Sequence, residues 1–187
     1  MKLTFSIIAV IVAGMLITSC KKNDSSSSST SSPILQQGNY SATGTISLTA
    51  AGTNFSLPIS KIQVVTTDVN QLLITASGNV GDALTPTSIT ITVSSTTGAI
   101  TTGTFSVPTT SADAGSGVSY LPPFSTYGAG PTVSGGGSAT INITKFTVLN
   151  ITGTFTATVE LISGAQGAVS SISITNGVIN CNVGSVQ

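Results

Sequence analysis

The side chains best suited to acid–base chemistry in this sequence are four carboxylates in its longer, C-terminal part. They are Asp68, Asp82, Asp113 and Glu160. A glycosidase needs two carboxyl groups about 5–10 Å apart across a cleft. The three aspartates lie in predicted turns, where aspartate commonly stabilises the backbone, and Glu160 lies near the end of a predicted strand. We therefore expect a protein that is not an enzyme, and the alternative is a small hydrolase that uses a carboxylate pair.

The residue types that support most other catalytic chemistry are missing from the sequence. The chain has no His, and its five basic residues are all Lys. Without His, the Ser-His-Asp and Cys-His nucleophile systems and His-containing metal sites are excluded. Two oxygen-rich turns, 68–70 and 79–82, offer few carboxylates for calcium, which takes about six to eight oxygen ligands. We expect no metal and no cofactor, and with so few cations we expect no binding to nucleic acid.

One short segment concentrates side chains that could contact a ligand. Tyr120, Phe124 and Tyr127 are three of the eight aromatic residues that follow Cys20, and two prolines stiffen the chain between them. Aromatic side chains on a rigid loop are a common means by which small β domains hold glycans or peptides. We therefore predict that these three residues bind a glycan or protein ligand. The alternative is that the segment folds back and covers an edge of a sheet.

The first twenty residues have the layout of an export signal. A basic start is followed by a nearly unbroken apolar run over residues 3–17, which is shorter than the roughly 20 residues a membrane-spanning helix needs. The run ends in Ile17-Thr18-Ser19-Cys20, which resembles the lipobox of bacterial lipoproteins. The resemblance implies that residues 1–19 are a signal peptide and that Cys20 is acylated and begins the mature chain. The alternative is an ordinary secretory signal in which Cys20 has no role.

A serine-rich stretch separates Cys20 from the rest of the chain. Because this serine run has no apolar side chains to bury, we predict a flexible tether over residues 20–37, with a reach of roughly 20–25 Å. The start of the tether, Cys-Lys-Lys-Asn-Asp, resembles Bacteroidota lipoproteins, in which a charged stretch here can direct export to the cell surface. The resemblance implies a lipid-anchored protein of the outer membrane, on either the cell surface or the periplasmic face.

The remaining chain, residues 38–187, has the pattern of a single all-β domain. Thr, Ser and Gly make up 80 of the 187 residues, and they favour strands and turns. Apolar residues alternate with Thr, as expected for strands with one face buried and one in water. We predict an antiparallel β-sandwich of roughly eight to ten strands. The strands are predicted at residues 40–50, 61–67, 71–77, 88–94, 137–146, 150–161 and 170–183, with shorter ones at 54–57, 104–107 and 118–121.

The clearest alternation places four threonines on one face of the 150–161 strand. They are Thr152, Thr154, Thr156 and Thr158. Flat threonine arrays occur on ice-binding surfaces, but the twist of a sheet removes the required flatness. We therefore expect an ordinary solvent-exposed face, filled by a β-branched polar residue.

The last predicted hairpin contains a change of phase. Its return strand switches its apolar face at Asn176-Gly177, which is also a strong signal for a type I′ turn. A glycine bulge explains both the switch and the matched lengths of the two strands, whereas a second tight turn explains only the switch. We therefore predict a bulge. Cys181 lies in the inward phase beyond it, and because Cys20 is expected to carry lipid, we predict that Cys181 is a free, buried thiol.

Three short motifs near the C-terminus resemble a known kind of protein. They are a glycine run at 135–137 that leads into TINIT at 140–144, then ITGTF at 151–155 and ITNGVIN at 174–180. These motifs resemble the Thr- and Gly-rich β domain of small Bacteroidota outer-membrane lipoproteins of unknown function. The resemblance implies no activity and no catalytic residues. We expect a membrane-anchored lipoprotein that serves as a non-catalytic binding or structural module.

Overall fold

The computed structural model describes residues 35–66, 70–81, 84–107, 115–131, 133 and 136–187. The predicted signal peptide, Cys20 and nearly all of the predicted tether lie outside these residues, and so do Asp68, Asp82 and Asp113. Within the described residues the regular structure consists of strands alone. None of these residues belongs to a helix long and apolar enough to cross a membrane.

Ten strands account for most of the described chain. In chain order they are β1 Gly38–Ala50, β2 Thr53–Thr66, β3 Asn70–Gly78, β4 Thr87–Ser95, β5 Gly103–Val107, β6 Gly117–Leu121, β7 Ser125–Ala129, β8 Ser138–Phe146, β9 Asn150–Gly164 and β10 Ser171–Val186. This confirms the all-β class predicted from the sequence. Two details differ: the predicted strands 54–57 and 61–67 form the single strand β2, and residues 125–129, predicted within a loop, form β7.

All ten strands belong to one hydrogen-bonded antiparallel sheet. The order is β10–β1–β2–β3–β4–β6–β7–β9–β8–β5, and β9 pairs in addition with β10. Eight of the strands therefore form a closed ring of neighbours, from β10 through β1 to β4, then β6, β7 and β9. The predicted sandwich of two separate sheets is not confirmed, because the pairings link every strand into one sheet. Closure satisfies strand edges that would otherwise be open to further pairing.

The sheet branches where two strands share one edge of β9. β7 pairs with residues 160–164 of β9, and β8 pairs with residues 151–158. β8 and its partner β5 leave the ring at this point. Their apolar side chains, among them Ile141 and Phe105, are buried in the same core as those of the ring. The long strand β9 therefore holds both parts of the sheet together.

The alternation of side chains builds the core. Along β9 the inward residues Ile151, Phe155 and Val159 are buried, whereas the threonines between them are exposed or half-buried. Burying an aliphatic side chain of this size stabilises the fold by roughly 1.5–3 kcal/mol, and the β-branch of threonine suits the pleated outer face. The largest fully buried side chains are Ile46, Leu57, Ile62, Leu72, Ile74, Ile89, Ile91, Ile141, Ile143, Ile151, Ile174 and Ile179.

The predicted bulge in the last strand is confirmed. β10 runs without a break from Ser171 to Val186, and its pairing with β9 shifts register between Ile174 and Gly177. Asn176 occupies the left-handed region at φ +52°. The apolar face of β10 therefore switches at a bulge within one continuous strand. No second turn interrupts the strand there.

The antiparallel order places the connections at two opposite ends of the sheet. We call one the hairpin end; it holds the connections 51–52, 79–86, 122–124 and 165–170. The other, the entry end, holds the connections 96–102 and 147–149 and the start of β1. Leu35, which falls in the predicted tether, is buried against the core there, and the Tyr40 hydroxyl donates to the Gln36 carbonyl at 2.7 Å.

Candidate functional site

Tyr120 and Tyr127 lie in β6 and β7 and face each other across the strand pairing. Their side chains are only 7% and 3% exposed, and their ring centroids are 6.3 Å apart. The Tyr120 ring also stacks on Phe55 of β2, again at 6.3 Å. Burial raises the pKa of the Tyr120 hydroxyl, and the neighbouring Tyr127 raises it further. Both tyrosines pack in the core, so neither ring is part of an exposed contact surface.

Phe124 is placed differently, at the tip of the β6–β7 hairpin. Its side chain is 78% exposed, and its backbone lies in the left-handed region at φ +63°. The N–H of Ser125 donates to the Pro122 carbonyl at 3.3 Å and closes the turn. The Phe124 carbonyl accepts a hydrogen bond from the N–H of Ala165, at 3.1 Å, in the β9–β10 connection. The backbone of the tip is therefore held in place while the ring projects into solvent.

Three further exposed apolar side chains lie near the tips of two neighbouring hairpins: β6–β7, which carries Phe124, and β9–β10. We call the set Leu121, Phe124, Ile162 and Val169 the hairpin-tip surface. Leu121 ends β6, Ile162 lies near the end of β9, and Val169 lies in the β9–β10 connection. The two hairpins are joined by strand pairing and by the hydrogen bond at Ala165. Exposed apolar side chains gathered on neighbouring elements are a common mark of an interaction site.

Ile162 could have been found from the sequence. The outward positions of β9 are even-numbered and hold threonine from 152 to 158, then Glu160 and Ile162. An isoleucine in a polar, outward phase is the signal, and the structure leaves this side chain 55% exposed. The strand predicted from the sequence ends at residue 161, one residue before Ile162. Leu121 and Val169 carry no comparable signal, since each lies where a strand meets a connection.

Glu160 is the one side-chain carboxylate among the described residues. It lies in β9, opposite Gly128 of β7 and Ser171 of β10, and is half-buried. In the part of the chain that the structure describes, no group of three or more His, Cys, Asp or Glu side chains could hold a metal ion. The other three candidate carboxylates lie outside the described residues, so the carboxylate-pair hydrolase stays a prediction.

Cys181 is a free thiol in the described chain, and it is fully buried. Its Cα lies opposite Ile151 of β9 on one side and Gly44 of β1 on the other. Burial raises the pKa of the thiol to about 11. Burial and the raised pKa both disfavour reaction of this thiol, because nucleophilic chemistry at sulfur requires the thiolate. The prediction of a free, buried Cys181 is confirmed.

Comparison with family models, curated proteins and solved structures found no match to this chain. The likeness to Bacteroidota lipoproteins therefore rests on the sequence motifs alone.

Proposed function

We propose that the protein is a lipid-anchored module of the outer membrane that binds a partner protein through the hairpin-tip surface and catalyses no reaction. The observation that carries this proposal is Phe124, a large aromatic side chain held in solvent at a strained backbone position. Cys20 supplies the anchor, and the serine-rich tether follows it on either the cell surface or the periplasmic face. No cofactor and no nucleic acid enter the proposal.

The backbone at Phe124 argues that the ring serves a purpose outside the fold. A left-handed conformation costs a non-glycine residue about 1–2 kcal/mol, and glycine would remove that cost. Burial of the ring could offset the strain, but the ring is exposed. Strained residues that packing does not explain are concentrated at binding and active sites. Phe124 fits this pattern, because nothing in the described core depends on its ring.

The chemistry of the hairpin-tip surface suits a protein partner. Its four side chains are aromatic or aliphatic, and none is charged. Aromatic anchors surrounded by aliphatic contacts are typical of the centres of protein–protein interfaces. Residues 38–187 carry two lysines and four carboxylates, so charge attraction is weak and affinity has to come from apolar area, at roughly 25 cal/mol per Å².

The test replaces Phe124 with Gly in the full-length protein and uses Leu149→Ala as the matched control. Leu149 is also exposed and apolar, but it lies at the entry end. We expect the wild type and Leu149→Ala to retain the same partner from a detergent extract of the native cell envelope. Phe124→Gly should reduce that retention at least about tenfold, which is a loss of about 1.4 kcal/mol. Its free energy of unfolding should stay unchanged or rise by up to about 1 kcal/mol, because the backbone strain is relieved.

Two results would contradict the proposal. If Phe124→Gly retained the same proteins as the wild type, the hairpin-tip surface would not be the contact. If Phe124→Gly unfolded at a clearly lower temperature than the wild type, the ring would stabilise the fold, and its exposure would have no functional meaning.

A further inference from the structure

The entry end exposes apolar side chains of its own. Leu149, in the β8–β9 connection, is 67% exposed, and Val186, at the end of β10, is 63% exposed. Ala99, in the β4–β5 connection, is also exposed, and Phe146 and Val148 are half-buried at the same end. We call these five residues the entry-end surface. It lies at the end of the sheet where the described chain begins, opposite the hairpin-tip surface.

Hydrogen bonds hold the backbone of Leu149 in place while its side chain projects into solvent. The Thr147 hydroxyl accepts from the N–H groups of Leu149 and Asn150, at 3.3 and 2.9 Å. The N–H of Thr147 donates to the Asn150 carbonyl at 2.9 Å and closes the turn. The Leu149 carbonyl accepts from the N–H of Val183 in β10, at 2.8 Å. A contact made by Leu149 therefore needs little ordering of the backbone, which favours binding.

The part of the chain that precedes the described residues joins them at this end. Leu35 is buried there and lines a small cavity together with Ile100 and Phe146. Residues 20–34 separate Leu35 from the acylation predicted at Cys20. As a flexible tether they would reach roughly 20 Å, at about 5–6 Å × √n. A lipid anchor on Cys20 would therefore keep the entry end close to a bilayer, at an effective concentration that is high for short flexible tethers.

Charge contributes little at the entry end. Lys145, next to Phe146, is exposed, and its ammonium group donates to Asn150 Oδ1 at 3.2 Å. In the sequence, Asp68 between β2 and β3 offsets this cation, and the connection 96–102 holds only Thr, Gly, Ala and Ile. The stem of a lysine can lie along an apolar surface while its ammonium group stays at the level of lipid phosphates. Affinity for a bilayer would therefore come mainly from the exposed aliphatic side chains.

A bilayer fits the entry-end surface better than a protein partner does. A stable protein interface takes about 20–30 residues on each side, and this surface has five apolar residues. Aliphatic side chains bind a bilayer by burying apolar area at the boundary of headgroups and acyl chains, which requires no complementary shape. Because the tether would keep the bilayer within reach, a weak contact is sufficient.

We propose that the entry-end surface docks on the lipid bilayer that carries the anchor, with Leu149 and Val186 inserted among the lipid headgroups. This docking rests on the lipid anchor of the proposed function and adds a second contact with the same membrane. It would direct the hairpin-tip surface away from the membrane, because the two surfaces lie at opposite ends of the sheet.

The experiment uses single Trp residues as reporters, because the sequence contains none. Leu149→Trp and Val186→Trp place the reporter at two exposed positions of the entry end. Phe124→Trp is the matched control at the hairpin tip, where the wild-type side chain is also apolar and exposed. Each full-length, acylated protein is reconstituted into vesicles of phosphatidylethanolamine and phosphatidylglycerol, whose acyl chains are either unmodified or brominated.

We expect brominated lipid to quench Leu149→Trp and Val186→Trp at least about twofold, because side chains that dock in this way lie about 5–10 Å deep in the bilayer boundary. Phe124→Trp should fluoresce equally in both kinds of vesicle. Equal fluorescence of the entry-end variants in both kinds of vesicle would overturn the proposal. Equal quenching of all three variants would also overturn it, because the introduced Trp would then drive insertion. An emission shift without quenching by bromine would overturn it too, because the surface would then contact a second copy.

The docking and the proposed function can fail separately. A mature wild-type protein whose intact mass lacks lipid would overturn both the anchor and the docking. With the lipid present, unquenched entry-end variants would overturn the docking alone. Retention of a partner by the hairpin-tip surface is measured in detergent, so the result for Phe124→Gly does not depend on a bilayer.

Discussion

At the scale of single residues, Cys181 shows how burial controls ionisation. Its side chain has no exposed surface and lies in the inward phase of β10 with Ile179 and Val183. Transfer into an apolar interior disfavours the charged thiolate, so burial raises the pKa from 9.0 to about 11. The folded protein therefore keeps its proton at pH values where the unfolded chain loses it.

This difference in pKa predicts that Cys181 lowers the stability of the folded protein at high pH. The thiol has a higher pKa in the folded than in the unfolded state, so its contribution is fully present below pH 9.0 and is lost as the pH rises towards 11. The free energy of unfolding of the wild type should fall relative to that of Cys181→Ala by roughly 2–3 kcal/mol across this range, at about 1.4 kcal/mol per pKa unit. Urea unfolding at several pH values, compared between the two proteins, measures it. Parallel curves would show that the thiol is equally accessible in both states.

The segment that contains Tyr120, Phe124 and Tyr127 shows what residue types alone predict and what they do not. The sequence predicts that Tyr120, Phe124 and Tyr127 lie close together, and the structure places all three in one hairpin. The sequence alone does not distinguish the two rings that lie in the core from the one that is exposed. Exposure depends on Phe55 of β2, which stacks on Tyr120 and is distant in sequence, and on the turn that gives Phe124 its left-handed backbone.

At the scale of elements, the bulge of β10 depends on one close approach. Gly177 lies opposite Phe155 of β9, and its backbone packs directly over the phenyl ring. Gly177 itself is not in the left-handed region, since Asn176 takes that conformation. The glycine is therefore required by space and not by backbone freedom.

We predict that Gly177→Ala destabilises the protein by about 1–3 kcal/mol, the usual cost of overpacking a core. Its Cβ would lie 2.5 Å from Cδ1 and Cε1 of the Phe155 ring and 2.5 Å from the Phe155 carbonyl oxygen. Gly130→Ala is the matched control, because its Cβ would have no neighbour closer than 3.8 Å, and it should change the free energy of unfolding by less than about 0.5 kcal/mol. Phe155→Leu combined with Gly177→Ala should cost less than the sum of the two single changes. Additive effects would show that the Phe155 carbonyl oxygen, and not the ring, excludes a side chain at position 177.

The positions of the strands can be predicted from the alternation of apolar and polar residues, but the pairing between distant strands cannot. The sequence predicts two strands, 54–57 and 61–67, where the structure has one, β2. Pro58 is accommodated within it because it lies beside irregular pairing in which a missing N–H is tolerated. Hairpins between consecutive strands, such as β9–β10, are expected from the sequence. The pairings of β1 with β10 and of β7 with β9, which close the ring, join distant segments that carry no local signal.

At the scale of the whole molecule, the two ends of the sheet carry different features. The described chain begins at Leu35, buried at the entry end, and the hairpin-tip surface lies at the opposite end. β1 alone has 13 residues, and at about 3.3 Å per residue it extends roughly 43 Å. A membrane anchor that precedes Leu35 would therefore leave the exposed Phe124 far from the point of attachment, where a partner could reach it.

The lipid anchor predicted at Cys20 determines the mass and the location of the mature protein. If Cys20 is acylated and becomes the first residue of the mature chain, the intact mass of the membrane-bound protein should correspond to residues 20–187 plus a diacylglyceryl group. Cys20→Ala should lose both the lipid mass and the membrane association, because acyl chains bind by burying CH₂ groups at about 0.8 kcal/mol each. Cys181→Ala is the matched control: it removes the other cysteine of the chain and should keep the lipid, because a buried thiol is not the acceptor. A mature wild-type protein without lipid, recovered in the soluble fraction, would contradict the lipobox interpretation and leave an ordinary secretory signal as the explanation of residues 1–19.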